Sequence, residues 1–395
     1  MLKGRMLQGA RAMAEMTALC RPQVVSAYPI TPQTLIVEEL SQIVADGDLK
    51  AEFINVEGEH SAASLVLGAS ATGVRVFSCS SSQGILLMSE VIFNISGMRL
   101  PIVMICVNRS VSAPLNIWND QQDSIAMRDA GWIQLYAENN QETCDLLLQA
   151  YKIAEDHRVM LPVMVCADGY LLPHAYEVVD LPTQEEVDDF LPPFEPIYKL
   201  DPANPMTMGA YAEPDKYMET RYMIQYSMEK SPPIIEDVAR QFTNAFGRTS
   251  WGLFEKYLVD DATTIVVAMG SMAGTIKEAI DELRAQGQKV GLLRLICYRP
   301  FPTEALIQVL SGARNIVVME KAISLGASGP LATEIRAAFQ GRQVSPEISG
   351  FVIGLGGRDV TTENIQDAIA KAQKQTTDAD FVALREDLEL EGVNA

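Results

Sequence analysis

Cysteine is scarce and scattered in this chain of 395 residues: six in all, at positions 20, 79, 106, 144, 166 and 297, with no CxxC and no paired Cys/His spacing. That excludes a zinc or iron–sulfur centre built by this chain alone, and a disulfide scaffold with it. Cys106 in IVMICV and Cys166 in VMVCA sit in apolar runs, where a reduced thiol serves as a small hydrophobe. Histidine is scarcer still; His60, His157 and His174 are too few for a histidine metal site. Although 48% of the residues are hydrophobic, Gly, Pro or a polar group breaks every apolar run. None reaches the roughly 18 residues of a spanning helix. The N-terminal stretch carries Glu15 and polar residues at short intervals, unlike the apolar stretch of a secretory signal, so the expected location is the cytoplasm. Positive charge is short too: 31 Lys+Arg against 51 Asp+Glu leaves −20, which repels phosphate backbones and anionic membranes and demotes nucleic-acid binding.

What is present is an alternation. From about residue 5 to 170, helical periodicity alternates with the apolar runs VVSAYP (24–29), VRVFSC (74–79), PIVMICV (101–107) and MLPVMVCA (160–167). Continuous apolar strands between helices predict a parallel sheet covered on both faces, hence a doubly wound α/β domain. Helices are expected at about 5–20, 34–46, 58–72, 84–97 and 140–157. Between Pro173 and Pro233 lie 10 of the 20 prolines, which predicts an extended connector over 171–258 with a helical stretch near 234–258. Strand-like runs at 263–270, 290–298, 315–321 and 348–357 then predict a second, smaller α/β domain over 259–375, followed by an acidic C-terminal arm at 376–395.

Four candidate loops fall in order along the first domain, three of them directly after predicted strands, at the edge where doubly wound folds bind ligands. YPITPQT presents Thr31, or uses it as a helix cap. VEGEHSAAS puts Glu57 and Glu59 at a helix start, where the dipole alone accounts for acidic residues, or where one carboxylate stands ready for a heterocycle. SSSQG offers hydroxyls and backbone N–H groups to an anion, or is a Ser-rich cap. Arg109 in NRSVSAP suits a carboxylate, with a surface salt bridge as the plain alternative. The Gly-rich strings MGSMAG and GLGGRDV fit neither GxGxxG nor a Walker loop and read as tight turns.

Taken in order, AYPITPQT, EGEHSAAS, SSSQGILLM, VNRSVSAP, NIWNDQQDS (116–124) and GGRDVT resemble the α subunit of 2-oxoacid:ferredoxin oxidoreductases over nearly the whole chain. The resemblance is to the pyruvate-type branch, and most of all to oxalate oxidoreductase. It implies a pyrimidine-type thiamine-diphosphate domain over 1–170 and a transketolase-C-terminal-like domain over 259–375. Residue by residue, it makes Glu59 the glutamate that hydrogen-bonds the aminopyrimidine N1′ and favours the imino tautomer that activates the thiazolium. Thr31 becomes the threonine beside the substrate oxygen and Arg109 the arginine that meets the substrate carboxylate. Ser82 and Gln83 become cofactor neighbours, and Asn108 a substrate neighbour.

The family's diphosphate signature, GDG followed at a distance by Asn, is missing; the nearest string is DGD at 46–48. The resemblance therefore implies that partner subunits hold the diphosphate, its Mg2+ and the [4Fe-4S] clusters, with ferredoxin as acceptor. The substrate expected is oxalate, oxidised to CO2 without CoA, with pyruvate conversion to acetyl-CoA as the alternative. A non-catalytic scaffold subunit is the reading from another class, against which Glu59, Thr31 and Arg109 are all in place. Thiamine catalysis without ferredoxin, as in a transketolase-like enzyme, is a third, against which the PITP loop and the NR pair speak by resemblance.

Overall fold

The computed structural model describes residues 4–385, which fall into two compact units. The first holds Met1–Glu255 with Met269–Ser271 and Leu295–Pro302, and the second holds Lys256–Ala268, Met272–Arg294 and the chain from Thr303 onward.

The first unit is built on a seven-stranded sheet. From edge to edge its strands are Cys297–Arg299, Ile133–Tyr136, Val163–Asp168, Val103–Asn108, Val76–Ser80, Val24–Ala27 and Glu52–Asn55. All neighbours run parallel except the Cys297–Arg299 edge, which pairs antiparallel with Ile133–Tyr136. The central strands are buried along their whole length, as helices on both faces require. Phe77, Ile105, Val165, Met13, Leu147 and Tyr151 share the core between sheet and helices. Helix Asn140–Ala154 starts where the Asn139 side chain accepts the N–H of Glu142 at 2.9 Å. Helix Glu59–Ala71 is rich in Ala and Ser and follows an extended Gly58, so its backbone packs close to its neighbours. After Val24–Ala27 the chain crosses to one side of the sheet, and after Val76–Ser80 to the other. The topological switch point therefore lies between these two strands; the first is left by loop 28–33, and the second passes through Ser81 straight into a helix that starts at Ser82.

A six-stranded sheet, most of whose residues belong to the second unit, runs in the order Asp380–Phe381, Glu347–Val352, Asn315–Glu320, Thr264–Ala268, Val290–Leu295, Phe254–Tyr257. Its core gathers Val266, Ile276, Ile280, Leu292, Val317, Phe351 and Ile369. Of the expected C-terminal arm, Asp380–Phe381 forms an edge strand parallel to Glu347–Val352, and residues 386–395 lie outside the described residues.

Several expectations are corrected. Residues Arg5–Gln8 are a strand, paired antiparallel with Tyr176–Val179, and the helix begins only at Gly9. The helix expected at 84–97 is two, Ser82–Leu87 and Ser89–Gly97. The proline-rich connector carries helices Gln184–Phe190 and Pro214–Lys230, and helix Pro232–Phe246 ends at Gly247, whose φ is +69°. Pro214, Pro232 and Pro233 occupy first turns, where the missing N–H has no intrahelical partner to lose. Phe254–Tyr257, expected to be helical, is a strand. No helix among the described residues is long and apolar enough to cross a membrane.

Candidate functional site

The four loops meet at the carboxyl edge of the seven-stranded sheet, around its switch point. Loop 28–33 is fixed from within by Gln33, which is fully buried. Its Oε1 accepts the N–H of Ile30 at 3.2 Å, and its Nε2 donates to the carbonyl of Cys79 at 2.8 Å, tying this loop to the neighbouring strand. The helix that follows begins at Thr34 with Gln33 before it, so Thr31 is not its cap. Thr31 is instead exposed, and its carbonyl accepts Nη1 of Arg109 at 2.8 Å.

Arg109 is no surface cation. Its residue is 5% exposed and forms no salt bridge among the described residues; Nε donates to the carbonyl of Asn116 at 2.9 Å and Nη2 reaches Gln83 Oε1 at 3.5 Å. Burial lowers the pKa of its guanidinium, and the charge of Asp123 opposes that shift. Of five guanidinium N–H donors these contacts occupy three, so the two terminal nitrogens keep one donor each for a carboxylate.

Glu59 is the first residue of its helix and is 7% exposed, with Gly58 before it. It makes no hydrogen bond or ion pair among the described residues. Glu57, by contrast, is exposed and accepts from Ser61 at 2.5 Å, which suits a solvated helix start. Next to Glu59 runs the short helix of Ser82, Gln83 and Gly84. The Oγ of Ser82 donates to the carbonyl of Ser110 and shares a 2.5 Å contact with Gln83 Oε1. Buried polar atoms here lack partners: Ser80 Oγ, Ser81 Oγ, Gln83 Nε2 and Asn108 Oδ1. An unmatched acceptor at Glu59, on a residue only 7% exposed, and a buried unmatched donor at Gln83 Nε2 call for a polar ligand. Ser81, despite its position before the helix, makes no capping bond.

Asp123 is the member that sequence reasoning missed, although it stands in the quoted string NIWNDQQDS. It is fully buried, and its carboxylate accepts Ser82 N at 2.9 Å, Arg109 N at 3.0 Å, Asn108 Nδ2 at 2.8 Å and Ser124 N at 2.7 Å. Burial pushes its carboxyl up while those four bonds hold it down. The backbone N–H of Ser82 that the sequence offered to an anion is thus occupied by the chain's own carboxylate. Ser271 of the MGSMAG turn is drawn to the same edge, donating its N–H at 3.0 Å and its hydroxyl to Asp168. Trp118, Tyr170 and His174 form an aromatic row there, with ring centroids 4.1 and 4.6 Å apart in succession. A cavity of about 820 Å3 lined by Arg21, Gln23, Lys50 and Arg75 lies at the opposite, amino-terminal edge of the sheet, where this fold does not place ligands.

Residues 15–240 match the family model described as pyruvate flavodoxin/ferredoxin oxidoreductase, thiamine diphosphate-binding, and residues 262–365 match pyruvate:ferredoxin oxidoreductase core domain II. The chain is 49% identical over 389 residues to pyruvate synthase subunit PorA of Methanosarcina barkeri, covering 97% of both chains. It is 47% identical over 371 residues to PorA of Pyrococcus furiosus, covering 94% of this chain and 93% of the relative. Ketoisovalerate oxidoreductase subunit VorA of Pyrococcus abyssi is 43% identical over 376 residues, covering 95% of this chain and 94% of that one. In structure, the chain resembles the 2-oxoglutarate:ferredoxin oxidoreductase of Magnetococcus marinus, solved with 2-oxoglutarate, coenzyme A and succinyl-CoA bound. The TM-score is 0.71 at 19% identity, over 94% of this chain and 65% of that one. A split-gene transketolase, an inactive β4 tetramer, gives a TM-score of 0.54 at 13% identity over 93% and 97% of the two chains. These two likenesses concern the fold.

Proposed function

The chain belongs to the thiamine-diphosphate-binding pyruvate flavodoxin/ferredoxin oxidoreductase family, and from that premise we propose that it is the α subunit of a pyruvate:ferredoxin oxidoreductase. Such an enzyme converts pyruvate and CoA to acetyl-CoA and CO2, passing electrons through [4Fe-4S] clusters to ferredoxin. The carrying observation is Glu59, a residue 7% exposed whose carboxylate has no partner among the described residues, at the sheet's switch point and beside the unmatched Gln83 Nε2. That pairing of acceptor and donor fits an aminopyrimidine. Thiamine diphosphate, when bound, supplies the carbanion stabilisation that decarboxylation of a 2-oxoacid needs.

The residues divide the remaining work. Glu59 holds the proton of a ring nitrogen by accepting its hydrogen bond, and Ser82 and Gln83 flank the ring. Arg109 offers its two spare donors to the substrate carboxylate. Thr31 orients the oxo group, and Asn108 supports the same pocket through its unmatched Oδ1. The diphosphate, its Mg2+ and the clusters fall to partner subunits, because the GDG…Asn signature and clustered cysteines are missing from this sequence.

Pyruvate displaces oxalate as the preferred substrate. The relatives named above carry pyruvate and ketoisovalerate in their names, both monocarboxylates. Arg109 is moreover the one cation among Thr31, Glu59, Ser82, Gln83, Asn108 and Arg109, which matches one carboxylate; the second charge of oxalate finds no counterpart among them.

The test is anaerobic dye reduction by the purified complex with pyruvate and with oxalate, each with and without CoA. CoA-dependent turnover of pyruvate is expected, and Glu59→Gln should lower it on the order of 10²–10⁴-fold with the subunits still assembled. Near-wild-type turnover of that variant removes Glu59 from the site; oxalate turnover without CoA restores the oxalate reading.

A further inference from the structure

Two of the candidate loops, SSSQG and NRSVSAP, reach one buried anion in the NIWNDQQDS segment, and that anion makes no salt bridge among the described residues. Asp123 Oδ2 accepts the main-chain N–H of Ser82 and of Arg109, at 2.9 and 3.0 Å; Oδ1 accepts Asn108 Nδ2 and Ser124 N, at 2.8 and 2.7 Å. Its donors outside its own short helix lie 41, 14 and 15 residues away in sequence. Burying a carboxylate without a cation is costly, and the four hydrogen bonds offset that cost only together.

We propose that Asp123 is a positioning residue for substrate recognition: by gripping the backbone of Arg109 and Ser82 and the side chain of Asn108 together, it sets where the carboxylate-binding guanidinium stands. The proposal rests on the reading of Arg109 as the substrate-carboxylate ligand. Arg109 is fixed at its tip by the carbonyls of Asn116 and Thr31 and at its root by Asp123. A guanidinium held at both ends loses little conformational freedom on binding, so its two remaining donors are preorganised. Ser82 adds to the demand, since its φ of +50° is a backbone state that a serine rarely adopts and that the bond from its N–H to Asp123 secures. Behind Asp123 a further layer keeps the carboxylate in place: Ser124 Oγ accepts Asn108 Nδ2 at 2.7 Å and meets Tyr136 Oη at 2.8 Å, and Gln134 Nε2 donates to the Ser124 carbonyl at 2.7 Å.

Asp123→Asn keeps the volume and removes the function. Each oxygen accepts two donors, so in either orientation the new NH2 faces two N–H groups. In the assembled complex this variant should raise KM for pyruvate about tenfold or more while kcat falls less, one lost anchoring bond being worth roughly that factor. Combined with Arg109→Ala, it should add nothing to the KM of Arg109→Ala alone, because it acts through the arginine. An unchanged KM, or losses that add in the double variant, overturns the proposal and leaves Asp123 a structural residue. If Asp123→Asn does not assemble, Asn108→Leu, which keeps the volume and drops the donor to Asp123, must raise KM with the same lack of additivity, or the proposal falls. Arg109→Ala is the control: normal KM in that variant defeats the carboxylate-site reading itself, whereas raised KM there with normal KM in Asp123→Asn defeats only the role of Asp123.

Discussion

Glu59 Oε1 lies 2.8 Å from the point where a Cβ on Gly84 would stand, and Ser80 Oγ lies 2.3 Å from it. Both distances are shorter than real Cβ contacts, so the missing side chain at 84 leaves room for the carboxylate. Ala in place of Gly inside a helix ordinarily stabilises by about 1 kcal/mol. Here the methyl group must push either Glu59 or Ser80 aside. Gly84→Ala should therefore lower kcat toward the level of Glu59→Gln while thermal stability changes little. Unchanged turnover with a raised melting temperature would show that Glu59 has slack the geometry does not suggest.

The contrast between Glu59 and Asp123 shows what was legible in the sequence. The sequence marks Glu57 and Glu59 alike as carboxylates at a helix start among Ala and Ser, and the resemblance picks out Glu59. Asp123 acquires its meaning from donors on other loops, and a through-space convergence leaves no periodicity to read. Gln33, which ties loop 28–33 to Cys79, is hidden for the same reason. The parallel sheet was legible because strands such as Val103–Asn108 and Val163–Asp168 are buried on both faces and read as unbroken apolar runs. Glu52–Asn55 leaves no apolar run because it is an exposed edge strand with an acidic start. Pro214–Lys230 is hidden because a proline count carries no proline position; a first-turn proline starts a helix as readily as an interior one breaks it.

Arg75 and Glu155 form a buried pair, with Nε to Oε1 at 2.6 Å and Nη2 to Oε2 at 2.7 Å, and Arg75 also donates to the carbonyls of Cys20 and Pro192. One side chain thus joins the end of the first helix, the start of Val76–Ser80 and the proline-rich segment. Burial pushes the Glu155 carboxyl up, and the Arg75 guanidinium opposes it. Arg75→Met should cost about 3–5 kcal/mol, since it strands a buried carboxylate. Adding Glu155→Leu should recover much of that loss, because the desolvation of the carboxylate disappears with it. Thermal melts of the two variants in the complex decide it: equal losses in both would mean that the bonds of Arg75 to Cys20 and Pro192, and not the ion pair, carry the stability.

Glu320 closes the strand Asn315–Glu320 and accepts Leu331 N at 2.8 Å and Ala332 N at 3.1 Å, in the first turn of helix Pro330–Phe339. Gly329 is required beside it, since a Cβ there would lie 2.0 Å from Oε1. Burial pushes its carboxyl from 4.5 up to about 7, against the pull of the two N–H groups. A carboxyl whose folded value exceeds its unfolded one favours the protonated form. Its contribution to stability is therefore full below the unfolded value of 4.5 and lost as the pH rises through about 7. At 1.36 kcal/mol per unit the shift amounts to about 3 kcal/mol. Glu320→Gln cannot titrate, so the stability of the wild-type complex relative to this variant should fall by about that amount between pH 5 and pH 8. A difference that stays flat across this range would mean that the helix N-terminus holds Glu320 ionised throughout, with its two N–H bonds outweighing burial.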